Sequence, residues 1–351
     1  MEQFENMSRM LELLKQPAFA AKDGVIIHVN QAAQGCMLEA GTSLDTLLHT
    51  GREEYAAMKD GCLYLSLIVN TMPVCASVSR MDGFDVFALE SDSENAALDA
   101  YALASCKLRE PLDKIIQYGS NVLAQAEDAD PALVAQLRHE VYKMMRTLHN
   151  MSAPAQHRQE VISRVELQNI CSVLDEVFEK AQAGLNTGSV KLRYTGLNEE
   201  ILTMTDTEKL SSAVYNLLSN AMRAAPEGST VDARLTRCAG KLHLTVHNEG
   251  PGIPQRTMET VYSRYLRRAA LENSQQGIGL GMAIITGAAA AHGGTVLIRS
   301  TNEGTTVTMT LDIRRSTGGR LHSPLLKRDP FGGYDPALVV LSEVLPTDCY
   351  Q

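Results

Sequence analysis

The sequence lacks the features that would send a chain into a membrane, onto nucleic acid or into an oxidising compartment. No apolar run reaches the roughly 18–20 residues of a membrane span. The longest weak candidate, LGMAIITGAAAA at 280–291, is short and rich in Gly and Ala. The opening MEQFENMSRM has neither a basic n-region nor an apolar h-region, so no signal peptide is expected. Basic residues are outnumbered: 32 Lys and Arg against 41 Asp and Glu leave a net charge of −9, which argues against a nucleic-acid partner. The seven cysteines, at 36, 62, 75, 106, 171, 238 and 349, are scattered, odd in number and without a CxxC pair. Reduced thiols fit that pattern better than disulfides or a zinc site. Internal repeats are missing too. Together these absences predict a cytoplasmic protein with no membrane insertion.

A chain of 351 residues, 44% apolar and 21% charged, is sufficient for two or three globular domains. Residues 1–93 begin with an amphipathic pattern (Phe4, Met7, Leu11, Leu14) and continue as short alternating strands such as GVIIHV and CLYLSLIV, with Lys22-Asp23-Gly24 as a turn. Residues 94–152 predict a helical hairpin. Positions 101, 105, 108, 112, 115, 119 and 122 step by four and three along its first helix. Asp130-Pro131 opens the second as N-cap and N1, followed by the seam Val134, Leu137, Val141, Met144, Leu148, Met151. Two helices cannot bury such stripes alone, so a homodimer joined in a four-helix bundle is expected. APAQHRQE (153–160) reads as a polar linker, and 161–313 as an α/β unit with helices near 167–184 and 206–224. In the tail, 314–351, Asp335-Pro336 and Pro346 bracket one short helix docked on a neighbouring domain.

The chemistry concentrates in 161–313. The helix from 206 starts with an apparent capping box, Thr205-x-x-Glu208, and its apolar face is Leu210, Ala213, Val214, Leu217, Leu218 and Ala221. Asn216, Asn220 and Arg223 lie on a separate stripe about 120° away. Amide oxygens can ligate Mg²⁺, a hard ion, and a guanidinium can clamp phosphate; taken alone, the stripe is better explained as a solvated helix face. HNEGPGIP (247–254) follows a strand, so Gly250 and Gly252 allow close approach of a flat ligand. QQGIGLGMAI (275–284) puts Gly277, Gly279 and Gly281 at a helix start, where backbone N–H groups cradle phosphates. No strand leads directly into it, so a dinucleotide-binding unit is disfavoured. Gly293 and Gly294 are expected to end a helix, with His292 structural.

These segments, in this order, resemble one family. YNLLSNAMRAA is similar to the N box, VHNEGPGIP to the G1 box, VYSRYLRR to the F box and GIGLGMAI to the G2 box of the histidine-kinase ATP-binding domain. That Bergerat-type α/β sandwich is shared with gyrase, the heat-shock-90 chaperones and anti-sigma kinases. SCKLREPL (105–112) is similar to the H box, usually S-H-E-L-R-x-P-L, and AFAAKDGVIIHVNQAA (18–33) resembles the start of a PAS sensor domain. The resemblance implies an α+β multidomain protein: a PAS-like sensor, a dimerising antiparallel hairpin and an ATP-binding domain. It also implies ATP and Mg as cofactors, with Asn220 as the Mg ligand and Asn216 and Arg223 lining the phosphates. Asn248 would take the place of the adenine-reading residue beside Gly250 and Gly252, the Gly279–Gly281 backbone after Gly277 would shape the lid hinge, and Tyr262 and Tyr265 would take the F-box aromatic positions. A response regulator or partner kinase would be its partner.

Two departures qualify this. Asn248 replaces the adenine-reading aspartate; its amide oxygen still accepts a hydrogen bond but without charge. Cys106 replaces the phosphoacceptor histidine and Lys107 its acidic neighbour, and a thiol must ionise before it attacks. His139 and His149 on the second helix stand outside any H-box context. Three readings follow: a histidine-kinase-like signalling protein with impaired phosphorelay, a non-catalytic ATP-gated dimeric scaffold, or an anti-sigma-type serine kinase. The hairpin argues against the last.

Overall fold

Asp23 and Gly24 adopt positive φ (52° and 78°) and turn β1 (Ala18–Lys22) back onto β2 (Val25–Val29). The computed structural model describes residues 2–14, 16–81, 83–90, 92–125, 130–158, 165–253, 280–314, 331 and 333–350. Ahead of β1, α1 (Glu2–Glu12) buries Met7 and Leu11. Three short helices, α2 (Gln31–Gln34), α3 (Leu44–Leu47) and α4 (Arg52–Ala57), precede β3 (Cys62–Val69), β4 (Met72–Met81) and β5 (Phe84–Leu89). The order β2-β1-β5-β4-β3 is antiparallel throughout. Its core is filled by aliphatic side chains around the stacked rings of Phe19 and Phe87, 4.7 Å apart.

The hairpin is α5 (Asp92–Gln125) and α6 (Pro131–Arg158). Asp130 Oδ1 accepts from Ala132 N at 2.9 Å, as the Asp-Pro start predicts. The expected linker at 153–160 is corrected as far as 158. There α6 continues through Pro154, because burial of Ala153 and Ala155 holds the turn that proline would otherwise break. Leu112 and Leu148 are buried, whereas Leu108, Ile115, Val122, Leu137 and Met144 are exposed.

The remaining elements are β6 (Glu166–Asn169), α7 (Ile170–Leu185), β7 (Lys191–Thr195), β8 (Leu202–Thr205), α8 (Thr207–Ala224), β9 (Thr230–Cys238), β10 (Lys241–Glu249), α9 (Gly281–Ala291), β11 (Val296–Thr301) and β12 (Gly304–Asp312). β6 pairs with β8, while β11-β12-β10-β9-β7 form a sheet in which β7 runs parallel to β9. Leu242, Leu244 and Val246 on β10 and Leu210, Leu217 and Leu218 on α8 belong to one buried core with α7. β11 also pairs with β3, so the two five-stranded sheets join into one of ten strands. In the tail, α10 (Pro336–Val340) and a 3-10 turn (Thr347–Tyr350) pack on α6, and α10 also on α7 and α8. The chain is an α+β multidomain protein. Among the described residues no helix is long and apolar enough to cross a membrane.

Candidate functional site

Helix α8 carries the site, and its start differs from the sequence expectation. Asp206, not Thr205, is the cap: its Oδ1 accepts from Lys209 N at 3.1 Å, while Thr205 Oγ1 donates to Thr203 O. The Asx-type cap outcompetes the hydroxyl because Thr205 is held as the last residue of β8. Asp206 N in turn donates to His292 Nε2 at 3.1 Å, and the other ring nitrogen of His292 lies 2.8 Å from Ala288 O. Burial holds this imidazole below its usual pKa, as a structural histidine requires.

Three turns along α8, the predicted stripe splits into fixed amides and a paired guanidinium. Asn216 is buried and donates through Nδ2 to Ser212 O at 2.9 Å. With that nitrogen committed, the oxygen is the end left to bind. A Cβ on Gly281, the first residue of α9, would stand 3.1 Å from Asn216 Oδ1, so the glycine keeps this oxygen clear. Asn220 Oδ1 receives a long bond, 3.4 Å, from Arg223. Two neutral amide oxygens on consecutive turns fit a hard cation whose remaining ligands come from phosphate and water.

The loop after β10 closes on the same helix. Gly250 has φ 135°, and a Cβ there would meet Ala224 O at 2.5 Å. At Gly252 a Cβ would collide with Thr301 O at 1.9 Å, so both glycines are needed for backbone approach. Asn248, on β10, is buried and donates to Glu249 O at 2.9 Å, which leaves its amide oxygen to accept. The structure therefore brings together Asn216, Asn220, Arg223, Gly250 and Gly281, with Asn248 at the end of the adjoining strand. Tyr262, Tyr265, Gly277 and Gly279 lie outside the described residues.

Cys106 is exposed on α5, beside the Pro111 turn. Two of the histidines on α6, His139 and His149, are engaged elsewhere. His149 is buried with Nε2 2.8 Å from Ser212 Oγ and its ring against Phe331; burial first, then the Arg109 and Arg146 charges, lower its pKa to about 3. His139 stacks on Tyr350 and lies 2.6 Å from Ser342 O.

Sequence reasoning missed Arg146 and Glu343. Arg146 is buried on α6, donates to Ser219 Oγ at 3.0 Å and pairs with Glu343, which also pairs with Arg223 at 3.0 Å. The available signal was a guanidinium two residues from the seam position Met144 and a lone acid in the apolar LVVLSEVLP run.

Residues 205–315 match the family described as histidine kinase-, DNA gyrase B- and HSP90-like ATPase. Sensor histidine kinase CusS of Escherichia coli is 28% identical over 204 residues, covering 57% of this chain and 42% of that protein. The sensor-like histidine kinase SenX3 of Mycolicibacterium smegmatis is 26% identical over 252 residues, 68% of this chain and 64% of SenX3. Sensor protein DivL of Caulobacter vibrioides is 26% identical over 220 residues, 62% of this chain and 28% of DivL. The chain thus matches less than half of CusS and less than two thirds of SenX3. Among solved structures, full-length ShkA in complex with AMPPNP shares the fold, with a TM-score of 0.50 and 18% identity over 63% of this chain and 47% of that one.

Proposed function

Because the chain is a relative of the sensor histidine kinases, sharing their ATPase domain, we propose that it binds Mg·ATP and acts as a cytoplasmic two-component signalling protein. The observation that carries this reading is the convergence of Gly250 and Gly281 on the amide-bearing helix α8. Asn220 and Asn216 would hold Mg²⁺ through their amide oxygens, and Arg223 would contact phosphate oxygens. Asn248 would accept from the adenine amino group, with Gly250 and Gly252 admitting the base. Gly277, Gly279 and Gly281 would cradle the phosphates, and Tyr262 and Tyr265 would belong to the cover over them. When bound, Mg·ATP supplies a transferable phosphoryl group with its charge partly neutralised.

What the chain's own residues do with that group turns on Cys106. By its resemblance to the H box its thiol would stand at the phosphoacceptor position, and Lys107, on the adjacent residue, would activate it only modestly. Residues 1–93 would form a PAS-like input unit, supported by the five-stranded antiparallel sheet with its short helices. The hairpin would hold two copies together, supported by its exposed apolar positions, and a response regulator or partner kinase would be the target. The non-catalytic scaffold is the second reading. It is favoured by the engagement of His139 and His149 in packing, which leaves neither of these two presented as a replacement acceptor.

Calorimetry tests the nucleotide site: Asn220→Ala should abolish Mg²⁺-dependent ATP binding, and Asn248→Asp should tighten it about tenfold, one charge-assisted hydrogen bond's worth. An Asn220→Ala protein that binds as wild type does would overturn the assignment. Incubation with γ-labelled ATP then separates the readings. Acid-labile, base-stable label on wild type marks an active histidine; ATP binding without label marks the scaffold.

A further inference from the structure

Two guanidiniums close on one carboxylate at the junction of hairpin, ATPase domain and tail. Glu343, between α10 and the C-terminal turn, pairs with Arg146 of α6 and Arg223 of α8. Arg146 is 5% exposed, and its other amino group donates to Ser219 Oγ. Arg223 donates to Asn220 Oδ1 as well, so the pair borders the amide proposed to hold Mg²⁺. A buried guanidinium beside a second one is unfavourable unless an anion neutralises them. Burial draws Arg146 below the ordinary arginine range, Glu343 opposes that shift, and Arg223 adds to it. The place is therefore an anion site, filled by the chain's own tail.

We propose that Arg146 and Arg223 form a polyphosphate clamp shared between the hairpin and the ATPase domain, which Glu343 occupies as an internal competitor of the nucleotide. This rests on the Mg·ATP reading above and adds to it a residue from outside the ATPase domain. The chemistry matches: a guanidinium fork accepts carboxylate and phosphate oxygens in the same planar geometry. A polyphosphate carries more charge than one carboxylate and can satisfy both arginines after Glu343 leaves. Release of Glu343 loosens the tail around it, which is otherwise anchored on α6 where His139 meets Ser342 O and Tyr350.

The test titrates Mg·ATP into wild type and Glu343→Gln by calorimetry and follows amide exchange in residues 336–350 in parallel. Glu343→Gln should bind about sixfold tighter, the factor by which a closed state favoured about five to one masks a site. ATP should also speed exchange in 336–350 of the wild type. In an Arg146→Met background the Glu343→Gln gain should vanish. Equal affinities with unchanged exchange overturn the clamp and leave the nucleotide reading standing; failure of both proteins to bind ATP at millimolar concentration removes both. Since Glu343→Gln leaves Arg146 buried without an anion and can loosen the fold, unmodified protein with sodium tripolyphosphate gives a second arm. Protection of 336–350 should fall with tripolyphosphate and hold in chloride of equal ionic strength. Equal protection in the two salts overturns the clamp.

Discussion

Cys106 and His149 sit on facing helices of the hairpin and report opposite circumstances for a side chain that could take a phosphate or a proton. Cys106 is exposed, five residues before Pro111, which lacks the N–H that would bond to Lys107 O. If it marks an intact acceptor geometry with the wrong atom, Cys106→His with Lys107→Glu should gain acid-labile label from γ-labelled ATP, well above the wild-type level. A silent double variant would support the scaffold. His149 faces Ser212, Phe331, Arg109 and Arg146, and its pKa falls from 6.5 to about 3. Below about pH 6.5 the unfolded chain binds a proton there that the folded chain refuses until about pH 3. The stability this neutral imidazole contributes is complete above that window and drains as pH falls, by about 1.4 kcal/mol per pH unit. Urea midpoints at pH 7, 6 and 5 should therefore slope more steeply for wild type than for His149→Gln. Parallel slopes would mean that the imidazole is not kept neutral. The sequence places both residues on the hairpin; that one of them packs against Phe331, 182 positions away, depends on contacts no local pattern encodes.

Among the elements, legibility followed periodicity. The core face of α8 is buried as its spacing predicts. Local competition was less readable: Asp206 took the cap from Thr205, and Pro154 failed to end α6 because its neighbours are buried. The hairpin seam shows what periodicity leaves open. Leu108 and Leu148 occupy equivalent pattern positions, yet Leu148 is 6% exposed and Leu108 is 51% exposed. Periodicity says which face is apolar and is silent on which neighbour covers it. Leu108, Ile115 and Val122, seven apart, stay exposed on the face where the proposed homodimer would close. Leu108→Glu should therefore weaken a homodimer about ten- to a hundredfold, since a buried leucine contributes about 1.5–3 kcal/mol. It should leave the melting temperature of the ATPase core unchanged. Leu148→Glu should instead unfold the chain. Light scattering and melts of the two variants check this, and a wild type that is monomeric at micromolar concentration would remove the bundle.

At the scale of the whole molecule, the feature least visible in the sequence is the pairing of β3 with β11. Three residue pairs, Tyr64 with Val296, Leu63 with Leu297 and Cys62 with Ile298, join the N-terminal sheet to the ATPase sheet. Both strands read as ordinary apolar runs, and nothing local marks either as the other's partner. Charges flank the seam: Lys241 pairs with Glu54 at 2.7 Å and Arg299 with Asp60 at 2.9 Å. The Lys241 pair is largely buried, so it constrains the register more than the exposed Arg299 pair does. Gly61 makes the approach possible. It has φ 83°, and a Cβ there would stand 2.3 Å from Ile298 O. Gly61→Val combines a clash with backbone strain of about 1–3 kcal/mol. The seam is short and each half has its own core, so the expected outcome is separation without unfolding. Amide exchange should rise in Cys62–Tyr64 and Val296–Ile298 on the faces that meet, while β12 and β10 stay protected, because their nine-pair ladder does not involve β3. If exchange rises throughout both sheets, the halves are one folding unit and an input at the N-terminal sheet would reach the ATPase core by stability alone. If only the seam opens, the same input can act through docking, with β11 carrying the change to the strands that lead into Asn248.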